Sequence, residues 1–314
     1  MPTSRVRTFT DPDAYAASIR GAGSQITITE AGTFRAKHTQ IDLLDVWMQR
    51  VFDNLPRISH GVSASGRISV VIRTRPGPSL LWCGLELGST SLVVQGPSTD
   101  FYVCSSGYAS LGSMSLPTDQ LASLGATFAG CDLTATKNGL ILTSASSAHA
   151  RLRQLHAAAG RLAIDSPATI ADPEAARCLD QLLIEAMMDC LSVEKRREDN
   201  AARQGHQRIM RRFSTVLEEN PDRALHLPEL CALIGVTERT LRRCCHEQLG
   251  VGPKRYLLLR RMHLARRALR DADTAAVTVT SIAARFGFWD FGRFASAYKS
   301  LFGESPSLTL RHTG

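Results

Sequence analysis

Leu230-Cys231-Ala232-Leu233-Ile234-Gly235-Val236 and Ile282-Ala283-Ala284-Arg285-Phe286-Gly287-Phe288 are one short pattern met twice, 52 residues apart. Past the shared glycine the offset becomes 53: Leu241 aligns with Phe294, and Leu249-Gly250-Val251-Gly252-Pro253 aligns with Phe302-Gly303-Glu304-Ser305-Pro306. A unit written twice with one residue inserted is hard to obtain by chance. Each copy reads as helix, glycine turn, helix. In the first, Pro228 sits at the start of a short helix, and Gly235 supplies a left-handed turn that other residues adopt only at a cost. Thr237 has the chemistry of an N-cap for a second helix, which runs to Leu249 and stops at Gly250. The second copy repeats this with Thr280-Ser281, Gly287 and Gly303. These are the parts of a helix-turn-helix, whose second helix enters the major groove. Between the copies, Pro253–Arg270 sets Tyr256, Leu257, Met262, Leu264, Ala265, Ala268 and Leu269 among arginines and reads as a connecting helix.

The charge agrees in sign and place. Residues 205–314 hold 18 Lys+Arg against 10 Asp+Glu, which accounts for the whole net charge of +8; the preceding 204 residues are neutral, with 19 of each sign. A basic domain joined to a neutral one points to nucleic acid or another anionic surface. At ~150 residues per domain, a chain of 314 residues implies about two domains.

Residues 24 to about 143 read as β-rich. Strands are expected at Gln25–Thr29, Arg67–Arg73, Leu80–Leu87, Ser91–Gln95, Tyr108–Leu116 and Leu140–Ser144, with Gly- and Pro-rich turns between them. Short strands so spaced form a sandwich or barrel. Pro117–Leu121 opens a short helix and Ser146–Arg161 reads as helical. A longer helix starts at Pro173-Glu174 and runs to about Asn200, with Leu179, Leu182, Leu183, Ala186, Met187, Cys190 and Val193 forming one stripe. The stripe packs on its own β-domain or against a second copy of the chain. The polar run after it, through Arg203-Gln204-Gly205, reads as a linker.

No run approaches the ~18 consecutive apolar residues of a spanning helix, and no apolar stretch follows the N-terminus as in a secretory signal. A membrane protein, a disulfide scaffold and a disordered chain are excluded. The eight cysteines include no C-x-x-C and no zinc-finger spacing with histidine. In a reducing compartment they read as small core residues, while the adjacent Cys244-Cys245 pair leaves a thiol-redox role open.

Residues ~207–311 resemble the DNA-binding domain of the AraC/XylS family of bacterial transcription regulators. The resemblance rests on Val279-Thr280-Ser281-Ile282-Ala283-Ala284-Arg285-Phe286-Gly287-Phe288, then Phe294, Tyr298-Lys299 and Phe302-Gly303-Glu304-Ser305-Pro306. Tyr256, Arg261-Met262 and Ala265-Arg266 of the connecting helix match as well. It covers a third of the chain; the rest is similar to the family in layout only. The fold it implies is α+β in two domains. An N-terminal β-rich, cupin-like barrel followed by helices (1–165) senses an effector, and a long amphipathic helix with a linker (166–204) dimerises. A C-terminal all-α domain (205–314) carries the tandem helix-turn-helix units, at about 227–249 and 279–302.

The resemblance further implies that the second helix of each unit enters successive major-groove segments of double-stranded DNA. The first unit presents Thr237, Glu238, Arg239, Arg242 and Arg243. Arginine can bond guanine O6 and N7 together, worth ~1–3 kcal/mol of discrimination per good pair, or merely neutralise phosphate; base readout is expected of Arg239 and Arg242. The second unit presents Trp289, Asp290, Phe291, Gly292, Arg293, Ser296 and Lys299. That side is poorer in hydrogen-bonding groups and suits backbone contacts and thymine methyls. Trp289 either covers the sugar-phosphate edge or packs in the core.

The function implied is a ligand-responsive activator of a catabolic or adaptive operon. It would be a cytoplasmic, nucleoid-associated homodimer acting with RNA polymerase on an unidentified small-molecule effector. Trp82, Tyr102 and Tyr108 are candidates to line the effector pocket, or are ordinary core. His38 and His60 stand alone without an H-x-H, so no metal and no cofactor is expected. The competing class is a DNA-repair or alkyl-transfer enzyme fused to the same DNA domain. It would need an activated cysteine, and the sequence offers only scattered Cys83, Cys104 and Cys131. No catalytic grouping rises above noise, and no enzymatic activity is expected.

Overall fold

The computed structural model describes residues 1–128, 139–192, 195–196, 201–221, 223–273 and 277–311. Cys131, Val193 and most of the polar run after it lie outside these. The chain divides into two compact units. One comprises Met1–Ile26, Phe34–Asn54 and Ser59–Asp199; the other joins Asn200–Gly314 with two short segments, Thr27–Thr33 and Leu55–Ile58.

The strands in chain order are β1 (Thr3–Phe9), β2 (Ala22–Ile28), β3 (Ala36–Asp42), β4 (Trp47–Asp53), β5 (Arg57–Val62), β6 (Arg67–Arg73), β7 (Leu80–Trp82), β8 (Leu85–Glu86), β9 (Ser91–Gln95), β10 (Asp100–Ser105), β11 (Ala109–Pro117), β12 (Leu140–Thr143) and β13 (Lys195–Arg196). Helices α1 (Pro12–Ser18), α2 (Thr118–Phe128), α3 (Ser146–Asp165), α4 (Pro167–Ala171) and α5 (Pro173–Ser192) accompany them. Hydrogen bonding sorts the strands into an eight-stranded sheet, β1-β3-β4-β11-β6-β9-β12-β13, and a five-stranded sheet, β2-β5-β10-β7-β8. The expected β-rich domain is present, and its two sheets remain open instead of closing into one barrel.

Around β6 and β9 both faces of the larger sheet are covered. Side chains alternate across a strand. Val70 and Ile72 of β6 and Leu92 and Val94 of β9 face a core shared with Leu152 and Ala159 of α3 and Leu183 and Met187 of α5. Val71 and Val93 point the other way, into a second core with Leu80, Trp82 and Val103. A strand buried on both faces reads as a continuous apolar run, which is why β9 was so plain in sequence.

Three expectations change. The segment Leu80–Leu87 is two strands, because Cys83 and Gly84 both take positive φ and turn the chain between them. The long helix spans Pro173–Ser192 and does not continue to Asn200, since Lys195–Arg196 are strand, and its stripe (Leu183, Ala186, Met187, Cys190) is buried in the core of its own unit. Asp180 of the same helix accepts hydrogen bonds from the backbone of Val46 at 3.0 Å and Asp45 at 3.3 Å, tying α5 to the β3–β4 turn. That stripe is therefore not a free surface for a second copy; on this helix the large apolar side chain left exposed is Leu182. Finally, Arg203-Gln204-Gly205 is no linker but the first turns of α6 (Ala201–Glu219).

Among the described residues four histidines are buried in the N-terminal unit, His38, His60, His149 and His156, and the pKa values of His38 and His156 are shifted furthest. His156 Nδ1 accepts from Arg50 Nη1 at 2.8 Å, and burial, helped by the Arg50 charge, pushes its pKa down to about 3. His38 lies between Ser18 Oγ at 2.9 Å and Gln49 Oε1 at 3.0 Å, and burial lowers it to about 4. Both stay neutral in the fold and take up a proton once unfolded, below about pH 6.5. Stability should therefore fall as pH drops from about 6.5 toward 4, by up to about 1.4 kcal/mol per pH unit per histidine. Urea titrations at about pH 7.5 and 5 measure this; equal midpoints for the N-terminal unit would show that these rings do not set its acid limit.

Candidate nucleic-acid interface

The C-terminal unit continues with α7 (Leu227–Ile234), α8 (Glu238–Leu249), α9 (Pro253–Asp271), α10 (Val279–Arg285), α11 (Phe291–Phe302) and α12 (Pro306–Arg311). Both turns are built as the glycines required: Gly235 has φ +78° and Gly287 φ +74°. Gly250 and Gly303 end the second helices in the left-handed region, at φ 69° and 76°. Thr237 caps α8, its Oγ1 accepting from Thr240 N at 3.2 Å. In the second unit the caps differ from the expected Thr280-Ser281. Thr278 and Ser281 form a reciprocal capping box on α10, and Asp290 caps α11 by accepting from Arg293 N at 3.0 Å.

The two reading helices share one inner pattern. Leu241, Cys244, Cys245 and Leu249 of α8 are buried, as are Phe294 and Tyr298 of α11. The connecting helix α9 lends Met262, Ala265 and Leu269 to the core of the second unit. Burial raises the Cys244 thiol to about 11 and pushes Cys245 higher still. Such thiols present almost no thiolate near neutrality, so the pair serves as packing.

The outer faces carry the expected contrast. Arg239, Arg242 and Arg243 are exposed on α8. Arg242 is held by Glu238 one turn back, at 3.0 Å. Arg243 Nη2 lies 3.1 Å from His206 Nε2, and the other nitrogen of that ring is 2.6 Å from Glu247 Oε2. Arg239 has no such partner among the described residues, so its guanidinium is the one already available to a ligand. On α11, Phe291, Gly292, Arg293, Ser296 and Lys299 are exposed, and Arg293 pairs with Asp290 at 3.2 Å. Trp289 is 80% exposed. Its place is thus not in the core, and it occupies the turn just before the α11 cap, where the second copy has its extra residue.

Two arginines that the sequence marked only as part of the connecting-helix pattern have structural roles not read from it. Arg261 of α9 is half-buried over the ring of Phe288 at 5.1 Å and donates to the Gly287 carbonyl at 3.3 Å, bracing the second turn. Burial lowers its pKa. Arg266 covers the Phe302 ring at 4.9 Å and reaches Glu304 at 3.5 Å. The available signal was the placement of arginines among the apolar positions of the connecting helix. Helix α6 was missed although Met210, Phe213 and Leu217, all buried, follow helical spacing.

Of the effector candidates, Trp82 is buried and stacked on Phe101 at 5.0 Å, and Tyr102 is buried against His60 at 4.7 Å. Tyr108 lies at the surface, its hydroxyl donating to the Pro76 carbonyl at 2.6 Å. Among the described residues no group of three His, Cys, Asp or Glu is placed to hold a metal, and no helix is long and apolar enough to cross a membrane.

Two glycine-turned helix pairs, each with a capped second helix and a polar outer face, define a tandem helix-turn-helix domain, a class of protein that reads duplex DNA. Residues 230–312 match the helix-turn-helix domain family. The chain is 41% identical over 103 residues to the probable thc operon regulatory protein of Rhodococcus erythropolis, covering 33% of this chain and 31% of that protein. It is 38% identical over 95 residues to the XylDLEGF operon transcriptional activator of Pseudomonas putida, covering 30% of each. A crystal structure of an AraC-type transcriptional regulator from Chromobacterium violaceum aligns at TM-score 0.32 and 24% identity, over 35% of this chain and 96% of that one. The chain spans about a third of the length of these two curated relatives. Its C-terminal part is thus a helix-turn-helix domain similar to those of AraC/XylS-type operon regulators.

Proposed function

We propose that the protein is a sequence-specific transcription regulator of AraC/XylS type, an activator of a catabolic or adaptive operon, whose two reading helices contact successive major-groove segments. The observation that carries this reading is the tandem of capped helices, each with an apolar buried inner face, the first of them presenting an exposed row of arginines. The α8 arginines supply base readout, with Arg239 foremost because it has no competing ion pair among the described residues. The α11 face supplies backbone and apolar contacts, and the exposed indole of Trp289 covers the sugar-phosphate edge. A single domain reads a short site weakly against the genome's many competitors, and pairing multiplies affinity through effective concentration. The protein accordingly acts as a homodimer, through a surface other than the buried α5 stripe, with RNA polymerase as its partner at the promoter. The N-terminal unit is the effector sensor, the protein is cytoplasmic and associated with the nucleoid, and no enzymatic step is required.

Genome-wide footprinting of the tagged protein tests this. The expected result is protection of promoter segments containing two sub-sites about one helical turn apart. Uniform binding without enriched sites would overturn the sequence-specific reading.

A further inference from the structure

The N-terminal unit contains a cleft of about 580 Å³ lined by three guanidinium groups, those of Arg73, Arg75 and Arg153, against a single carboxylate, Glu86. Three separate parts of the chain bring them together. Arg73 ends β6 and Arg75 lies in the turn beyond it; Glu86 ends β8; Arg153 stands in the second turn of α3. The exposed hydroxyl residue Ser89 and the half-exposed Thr90 belong to the same wall.

The cleft is built, not incidental. Arg73 donates to the Leu87 carbonyl at 3.2 Å and the Pro78 carbonyl at 2.8 Å, joining the two loops that face each other across it. Those bonds use two of the five N–H donors of a guanidinium. The turn bearing Arg75 is clamped by Tyr108, whose hydroxyl holds the Pro76 carbonyl. A Cβ on Gly77 would come within 2.7 Å of the same ring, so the turn closes on the tyrosine only with glycine there. Arg75 also lies over the Phe52 ring at 5.9 Å. Among the described residues neither Arg75 nor Arg153 has an ion-pair partner.

The surroundings add to the positive potential. Arg75 and Arg161, after burial, lower the pKa of Arg50, and Arg153, after burial, lowers that of His149. Three cations lined up against one carboxylate leave an excess of positive charge that repels itself, and a bound anion removes that cost. Guanidinium forks match the planar carboxylate and the phosphate group bidentately. A volume of this size falls in the range of small-molecule sites.

We propose that this cleft binds a small organic oxyanion, a carboxylate or a phosphate ester, gripped by Arg75 and Arg153 with Arg73 as the fixed anchor. This deepens the effector reading above and rests on it only for the regulatory consequence, not for the binding itself. The test is calorimetric titration of the purified full chain with succinate, hexanoate, glycerol 3-phosphate and, as the neutral control, hexanol. At least one oxyanion should bind at roughly millimolar concentration or below while hexanol does not. Arg75→Gln and Arg153→Gln should each weaken that binding by about tenfold or more. Both side chains reach the surface, so the ligand-free melting temperature of each variant should stay that of the parent. Whether succinate and hexanoate or glycerol 3-phosphate wins distinguishes the carboxylate from the phosphate source. Failure of all three oxyanions to bind, binding of hexanol equal to theirs, or unchanged affinity in folded variants would overturn the proposal. The titration contains no DNA, so its failure leaves the DNA reading standing, and a failed footprint leaves the chemistry of the cleft standing.

Discussion

Replacing Arg239 and Arg242 together by alanine should weaken operator binding by roughly 30- to 10⁴-fold while random duplex loses only severalfold. A good bidentate arginine–guanine contact is worth about 1–3 kcal/mol of discrimination, so two are worth about 2–6. Among the described residues Arg239 engages no neighbour that must first be released. Arg242 must leave Glu238, but that pair is exposed, and such pairs contribute only about 0–1 kcal/mol. Arg293→Ala and Lys299→Ala should behave differently, lowering affinity for both DNAs alike and reducing the salt dependence of binding, as loss of a phosphate contact does. Fluorescence anisotropy with a footprinted operator and a scrambled duplex, at one fixed salt concentration, reads both quantities. Equal loss on the two DNAs in the double variant would assign Arg239 and Arg242 to phosphate instead.

Gly112→Ala should strongly destabilise the N-terminal unit. Gly112 lies in β11, opposite Arg50 of β4 and Ile72 of β6. A Cβ there would overlap Cε1 of His156 and come within 2.7 Å of its Nε2 and 2.8 Å of Thr74 Cγ2. His156 has no exposed surface and no room to retreat. Behind it, Gly160 leaves no more space for Arg50, since a Cβ at 160 would overlap Cδ of that arginine. Overpacking of this kind costs about 1–3 kcal/mol or more, which for a unit of this size lowers Tm by roughly 2–10 °C. Scanning calorimetry measures the loss. If the cause is steric, His156→Ala in the Gly112→Ala background should cost less than the sum of the two single changes. Strict additivity would remove the steric account.

The reading domain could be found from sequence because its determinants are local. A glycine that must take positive φ, a threonine that must cap and an arginine on an outer face are each decided within one or two turns of chain. The N-terminal unit is different. Strands β3 and β5 were missed because their buried positions carry His38, Thr39, Arg57, Ser59 and His60, residues whose burial makes sense only once partners from distant segments arrive. The break at Cys83-Gly84 had one visible sign, the glycine; a cysteine at φ 46° gives none. The α5 stripe was visible, but which surface it covers depends on the sheet beneath it, and that is a long-range fact. The arginine cleft shows the same limit: Arg73 and Arg75 are neighbours in sequence, while Arg153 joins them only through the packing of α3.

The extra residue of the second helix-turn-helix sits at Trp289, in the turn, and that location matters for how the two halves could diverge. An α-helix advances about 100° per residue. One residue added inside α11 would re-phase everything after it and carry Phe294 and Tyr298 out of the core. Added before the Asp290 cap, it changes only the length of the hinge and leaves the helix in phase. The duplicated scaffold thus has a position where chain length varies without mechanical penalty, so one reading head could acquire an aromatic edge while the other stayed a guanidinium comb.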